Sequence, residues 1–524
     1  MRADVVRMYR DIHSWVGIVC GLFLFTAFYA GAITMFAEPL DRWASPPVAL
    51  SPPPSLADTP ALIQKTLAAV PAARRQYQIV LEPDAAAPAR MLWYAQAPAP
   101  EERGGGQLAA SSLGPDGGLQ TAELKKGDVA NFVDVLHQRL ALPLDREIGL
   151  PVMGIVALLY AVALISGVIV LLPSLVKDLF ALRLGRNLKR MWLDVHNVLG
   201  VFSLPFHIVM ALTSVIFAFH DQIYATQDVA LYGGRLEKMW DRPVVSAHPP
   251  TTPLMPPAAI VARLGTEAPG FAPERLIYRT VPGNRNVLAV WGHDDRYPMR
   301  AATQGFVSVD PYDGTILDDT YLPGRASGMM GAVINFFSLH FGSFGGMPVR
   351  WGYFALGLAG AFLFYTGNLL WVASRRQRER AQGESRPTRI LDRLTLGWCL
   401  GTMAGISATI AAAKLLEGHV ADPALWHRIV FYAVLVGALG WTQLRDASQA
   451  RREMLWLAGF GFALIPVASM AAACSGTGWN DGWPVMLVDL VAGAGAGLCL
   501  WMAYLQARHP ASLPTVPGAT QATP

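Results

Sequence analysis

Eleven histidines are spread over 524 residues, and four of them stand in two matched pairs. His13 lies in Asp11-Ile12-His13-Ser14-Trp15-Val16-Gly17 and His196 in Asp194-Val195-His196-Asn197-Val198-Leu199-Gly200, so Asp-aliphatic-His-x-x-x-Gly occurs twice. The second pair, Leu136-His137 and Leu339-His340, precedes an apolar run in each case. Two neutral imidazoles on opposite sides of a porphyrin, each giving one nitrogen to iron, hold a haem. Equivalent positions in two copies of a repeat supply that geometry. Gly17 and Gly200, one turn past His13 and His196 on the same face, would leave room for the flat macrocycle. The rival readings are an interfacial histidine bonded to head groups or to the nearby Asp, and a surface histidine at a helix start.

His207 follows His196 by eleven residues, about 16 Å along an ideal helix and within about 20° of the same face. That suits a second haem, stacked toward the opposite leaflet, with His207 as its ligand or close neighbour. Its counterpart in the first repeat is Leu24, however, and a buried histidine bonded to a carbonyl freed by Pro205 is the competing reading. Asp11 and Asp194 could accept from a ligand imidazole, though two residues away on an ideal helix they point elsewhere. His220 is a weaker candidate, and His248, His293 and His509 read as loop histidines. His419 and His427 flank one loop and are too few for a metal site. The four cysteines, Cys20, Cys399, Cys474 and Cys499, form no Cys-x-x-Cys-His motif and no zinc-like spacing. A haem here is therefore non-covalent, of the b type, and disulfides are not expected.

The elements that must position these groups are membrane helices. The chain is 53% hydrophobic and only 15% charged, too little charge to cover a soluble protein of this size. Eight apolar runs, at about 14–36, 148–173, 193–219, 351–373, 395–416, 425–443, 454–473 and 484–506, are long enough to cross about 30 Å of hydrocarbon. The first follows Arg2, Arg7 and Arg10 but is too long for a signal peptide and lacks a small-residue cleavage site, so it reads as a retained helix. Lys177, Arg183, Arg186, Lys189 and Arg190, the arginines from Arg375 to Arg393, and Arg445, Arg451 and Arg452 fill every second connection. The positive-inside rule then makes both termini cytoplasmic and puts the two long loops on the other side of the membrane. The net charge of +4 comes from these clusters, and no nucleic-acid partner is indicated.

Two segments outside the membrane, 37–147 and 220–350, each read as a small α+β module. In the first, 60–70 is helical and 76–81 and 89–94 are strands. In the second, 256–264 is helical and 276–281, 287–292 and 306–309 form a meander. Asp313-Gly314 supplies the positive φ for a tight turn in Val309-Asp-Pro-Tyr-Asp-Gly-Thr315. The first four helices are thus two copies of helix, outer module, helix, and both second helices carry a small residue before glycine, at Ser166-Gly167 and Thr366-Gly367. The predicted order is a first helix ending at 36, a module to 147, two helices with a basic loop over 148–219, and a module to 350. A fourth helix at 351–373, a basic linker at 374–394, an appended four-helix bundle at 395–506 and a cytoplasmic tail at 507–524 follow. The fold class is a polytopic all-α membrane protein of about eight helices with two small α+β modules.

His13-Ser-Trp-Val-Gly17, Leu204-Pro205-Phe206-His207 and Leu339-His340-Phe-Gly342-Ser-Phe344-Gly345-Gly346 closely resemble the PepSY-associated transmembrane helix family, over roughly residues 1–375. That family includes FoxB-type siderophore-iron reductases. The resemblance implies PepSY-type periplasmic modules, a four-helix core with two b-type haems, and haem-dependent reduction of ferric siderophores at the periplasmic face. It implies His13 and His196 for an inner haem, and an outer haem drawing on His137, His340 and His207. Reducing oxygen-held ferric iron to softer ferrous iron weakens its grip, so one electron releases it. The donor, a quinol, a flavin reductase or a cytochrome, is not readable from the residues. The alternatives are a permease for an iron complex or peptide, which predicts polar residues in mid-span, and a non-catalytic PepSY anchor or regulator, which leaves the paired histidines unexplained.

Overall fold

The computed structural model describes residues 2–84, 87–96, 106–125, 127–175, 188–235, 245–249, 251–283, 285–301, 304–381, 383–416, 419–475 and 483–508. Lys177, Arg183, Arg186, His509 and nearly all of the tail from 507 lie outside them. The chain divides into two units, Met1–Gly367 with Gly476–Val485, and Asn368–Ser475 with Met486–Pro524.

The first unit is built twice over. Helix α1 (Ala3–Thr34) is followed by short α2 (Ala37–Ala44), then α3 (Thr59–Ala69), strands β1 (Gln76–Val80), β2 (Met91–Gln96), β3 (Gln107–Leu113) and β4 (Leu119–Glu123), α4 (Val129–Arg139) and α5 (Arg146–Leu171). The second copy runs through α6 (Leu188–Phe202), α7 (Leu204–Ala218), α8 (His220–Gln227) and α9 (Pro257–Glu267). It continues with β5 (Ala272–Val281), β6 (Arg285–His293), β7 (Gly305–Val309), β8 (Ile316–Asp318), α10 (Gly328–Phe341) and α11 (Gly346–Arg378). Hydrocarbon offers the backbone no hydrogen-bond partners, so apolar runs of this length satisfy it internally as helices. Helix α5 turns Ile148, Ile155, Leu158, Val162 and Ile165 outward, each exposed, which suits contact with lipid rather than water. Seven described helices are long and apolar enough to span a membrane, and α6 with α7 form a bent pair.

That pair corrects one sequence expectation. The run at 193–219 reads as one rod, yet α6 and α7 meet at 69°. Pro205 lacks the N–H that would bond the Val201 carbonyl, and the Ser203 hydroxyl donates to the Leu199 carbonyl at 2.5 Å, an interaction that bends helices. His196 and His207 therefore do not share one straight helix face.

The two modules also do not stand apart. Their strands form one eight-stranded sheet in the order β4-β3-β2-β1-β5-β6-β7-β8. β1 and β5 pair antiparallel, with Tyr77 opposite Tyr278. The two halves are thus related by an approximate two-fold at that ladder. Helices α3 and α9 cover one face, burying Leu62, Ile260 and Leu264 against Ile79, Met91, Leu276 and Val290. The expected turn before Thr315 is present, with Gly314 at φ +79° and the Asp310 N–H donating to the Thr315 carbonyl at 2.8 Å.

The second unit contains α12 (Arg386–Leu416), α13 (Pro423–Leu444), α14 (Ala447–Cys474) and, from Met486, α15 (Trp483–Arg508). Gly397, Gly401 and Gly405 recur every fourth residue on α12, and a Cβ on Gly401 would come within 2.9 Å of the Ala438 methyl on α13. Small residues allow such close approach where apolar lipid gives no drive for association. At one end Arg376 pairs with buried Asp392 at 2.7 Å.

The Tyr77 and Tyr278 rings stack at 4.8 Å, and neither buried hydroxyl has a hydrogen-bond partner among the described residues. Burial pushes both phenols above their ordinary range. An unpaired buried hydroxyl costs about 1–3 kcal/mol, so Tyr278→Phe is expected to leave the protein as stable or about 1 kcal/mol more so. Tyr278→Ala removes the stacked ring and is expected to cost about 3–5 kcal/mol, on the scale of other buried aromatic truncations. Urea unfolding of the purified protein compares the two.

Candidate functional site

Helices α1, α5, α7 and α11 carry or contact the histidines singled out above, and α4, α6 and α10 bring the rest. His13 and His196 lie with ring centroids 6.3 Å apart, and His137 and His340 with centroids 6.5 Å apart. Two imidazoles that share one metal through bonds of about 2 Å have centroids roughly 6 Å apart. Both pairs therefore have a spacing that one iron between two rings requires.

The hydrogen bonds of the rings are more informative than their spacing. His13 Nδ1 donates to the Ala163 carbonyl at 2.8 Å, and His137 Nδ1 to the Ala27 carbonyl at 2.7 Å. In the second repeat His196 bonds the Leu363 carbonyl as well, and a threonine hydroxyl lies beside each ring. His196 Nδ1 lies 3.3 Å from Thr366 Oγ1, and His340 Nδ1 lies 2.8 Å from Thr213 Oγ1. Each threonine has already committed its hydrogen, Thr366 to the Leu363 carbonyl at 2.9 Å and Thr213 to the Val209 carbonyl at 2.6 Å. The hydroxyl oxygen is left to accept, so the proton resides on Nδ1 in all four rings. Each Nε2 keeps its lone pair, the form in which imidazole binds a metal.

The two pairs sit at different depths. His13 and the carbonyl of Ala27, which holds His137, are both on α1, fourteen residues or about 21 Å apart. Glycines close around the rings. A Cβ on Gly167 would fall 2.9 Å from His13, one on Gly31 2.9 Å from His137, and one on Gly367 3.3 Å from His196. At Gly17 a Cβ would meet nothing within 4 Å, and at Gly200 only Leu363 at 3.9 Å. Protein packing does not demand glycine at those two positions, which agrees with space for a flat group.

The sheet is fastened to the His340 end. Met299 N–H donates to the Ser343 carbonyl at 3.1 Å and Gly345 N–H to the Asp295 carbonyl at 2.9 Å, while Ser343 Oγ donates to the Met299 carbonyl at 2.9 Å. Gly346, at φ +62°, passes so close that a Cβ would lie 2.7 Å from the Asp295 carboxylate. Hydrogen bonds from Arg296 hold the Asp294 carboxyl below its ordinary range, which stiffens the same loop. Arg300 in this loop stacks 3.3 Å above the Phe337 ring. Phe337 packs on Phe217 at 4.6 Å, and Phe217 on His340 at 4.7 Å.

His207 is brought to neither pair. It is buried on α7 with its Nδ1 2.5 Å from the Tyr160 hydroxyl, not on a carbonyl freed by Pro205. Asp194 is buried against Arg190 at 3.2 Å and Asp11 is exposed, so carbonyls and threonines, not these aspartates, hold the rings. His220 pairs with Asp221, His248 with Asp310 and His293 with Glu274. All four cysteines are free thiols.

These features define a multi-pass helical membrane protein whose duplicated half encloses two histidine pairs at two depths. The chain belongs to the PepSY-associated TM region family, which it matches over residues 10–374. It is also similar to an uncharacterised protein of Pseudomonas aeruginosa, 23% identical over 316 residues, which make up 56% of this chain and 76% of that protein.

Sequence reasoning missed Thr213 and Thr366. Its nearest signal was the small residue before glycine at Ser166-Gly167 and Thr366-Gly367. The contacts at Gly167 give a test of the packing. A methyl there must push the His13 ring, so Gly167→Ala is expected to cost about 1–3 kcal/mol. Gly352→Ala, where a Cβ meets nothing within 4 Å, is expected to be neutral or slightly stabilising. Thermal unfolding of the two variants in detergent distinguishes them.

Proposed function

We propose that this protein carries electrons across a bacterial inner membrane through two b-type haems and delivers them to a ferric siderophore. The observation that carries this reading is that four histidines, paired across a repeat, all commit Nδ1 to an acceptor and keep Nε2 for a metal. His13 and His196 would hold the inner group, and His137 and His340 the outer one. Bound haem supplies a one-electron iron couple. The Ala163 and Ala27 carbonyls and the Thr366 and Thr213 hydroxyls fix tautomer and ring orientation, and make the imidazoles more basic ligands.

The basic residues Arg7, Arg10, Lys189 and Arg190 lie at the His13 end, so by the positive-inside rule the sheet is periplasmic. A donor such as a quinol or a reductase feeds the inner pair. The loop carrying Arg300 is fastened beside the outer pair, and the contacts from His340 through Phe217 and Phe337 lead to its guanidinium. An anionic ferric chelate attracted by that charge would lie at the end of a packed aromatic path. Once reduced, its iron is held less strongly by hard oxygen ligands and leaves.

The test is the haem content of the purified protein, measured as the pyridine haemochrome, with the dithionite-reduced spectrum. Wild type is expected to contain two haems b per chain, and alanine at His13, His196, His137 or His340 to lower this to about one. Thr213→Val is expected to weaken haem retention about 10–100-fold, as other losses of a ligand's orienting partner do. A wild type with no Soret band, or four alanine variants with unchanged haem, overturns the proposal.

A further inference from the structure

His207 has no part in either pair, yet it is one of the most enclosed histidines in the described chain, 1% exposed. The rings of Phe28, Phe206, Phe364 and Tyr160 surround it, all within 6.3 Å between centroids. On α7 it precedes Thr213, the partner of His340, by six residues or about 9 Å. On α11, a Cβ at Gly360 would lie 3.2 Å from His207 and one at Gly367 3.3 Å from His196, and these glycines are seven residues or about 10 Å apart. His207 thus stands about midway between the two pairs.

Its hydrogen bonding is the reverse of theirs. The Tyr160 hydroxyl has two possible acceptors, His207 Nδ1 at 2.5 Å and the His207 carbonyl at 3.2 Å. We assign the phenol hydrogen to the nearer acceptor, Nδ1, because a phenol is a stronger acid than a neutral imidazole N–H. A neutral imidazole that accepts at Nδ1 carries its hydrogen on Nε2. The paired histidines therefore present a lone pair, whereas His207 presents an N–H. This Nε2 is buried without a hydrogen-bond partner among the described residues. A donor left unpaired in a low-dielectric interior is costly, and such groups occur where they serve a function. An oriented dipole there stabilises charge that arrives beside it, at no cost of reorganisation.

We infer that His207 is not a third iron ligand but an N–H dipole, locked by Tyr160 between the two histidine pairs, that stabilises the electron as it crosses the membrane interior. This rests on the electron-transfer reading above. His207 is then a positioning residue for charge, and it shifts redox equilibria without holding iron.

The experiment is a spectroscopic redox titration of the purified protein, with haem content measured on the same samples, for wild type, His207→Leu, His207→Gln and Tyr160→Phe. All four are expected to contain two haems. In His207→Leu at least one midpoint falls, by about tenfold in the ratio of reduced to oxidised form, which is 59 mV for a one-electron couple. His207→Gln restores an N–H and recovers most of the shift, and Tyr160→Phe gives a smaller shift in the same direction. Loss of one haem from His207→Leu, with two in wild type, makes His207 a ligand and overturns the inference alone. Unchanged midpoints overturn it as well. A wild type without haem overturns the electron-transfer reading and this inference together.

Discussion

The arrangement of the first unit depends on where one proton sits in each of four imidazole rings. A neutral histidine has a single N–H, and the partner of Nδ1 decides whether Nε2 can bind a metal. Here a helix carbonyl or an already-donating threonine accepts from Nδ1 at every paired position. Those acceptors need helices that lie close and at defined depth. Gly31, Gly167 and Gly367 allow this by leaving room for the rings.

The duplication explains why the histidines come in pairs. One ring of each pair is contributed by each repeat, so neither copy makes a site alone. The joint sheet extends the same relation outside the helices, since β1 and β5 pair antiparallel at the approximate two-fold. The halves have diverged in detail. At the inner pair both repeats set a ring on a helix carbonyl that also accepts from a hydroxyl, Ser166 on Ala163 and Thr366 on Leu363, whereas at the outer pair His137 meets the Ala27 carbonyl and His340 meets Thr213.

Much of this was legible in the residues. The repeat around His13 and His196 pointed to a shared role, and the apolar runs located the helices, several of which begin seven to eleven residues earlier, at Ala3, Arg386 and Ala447, in polar or charged stretches outside the runs. The strands expected at 76–81, 89–94, 276–281, 287–292 and 306–309 fall on β1, β2, β5, β6 and β7. What escaped has physical causes. Threonine in an apolar helix usually bonds back to its own carbonyls, so Thr213 and Thr366 carry no outward mark of a second partner. β3 and β4, Gln107–Leu113 and Leu119–Glu123, are too polar and small-residue-rich to announce strands. The β1–β5 ladder joins residues two hundred positions apart, and no local periodicity encodes such a register. The break at Ser203 has its signal in Pro205, whose missing N–H interrupts the helix and also frees a carbonyl.

On the function proposed above, two histidine pairs about 21 Å apart along α1 form one electron path through the membrane. Its most direct measurement uses proteoliposomes that hold a membrane-impermeant ferric chelate inside, with a reductant supplied only outside. The trapped iron is expected to be reduced when wild-type protein is present, and removal of both His13 and His196 to abolish this. Reduction no faster than in protein-free vesicles would contradict it.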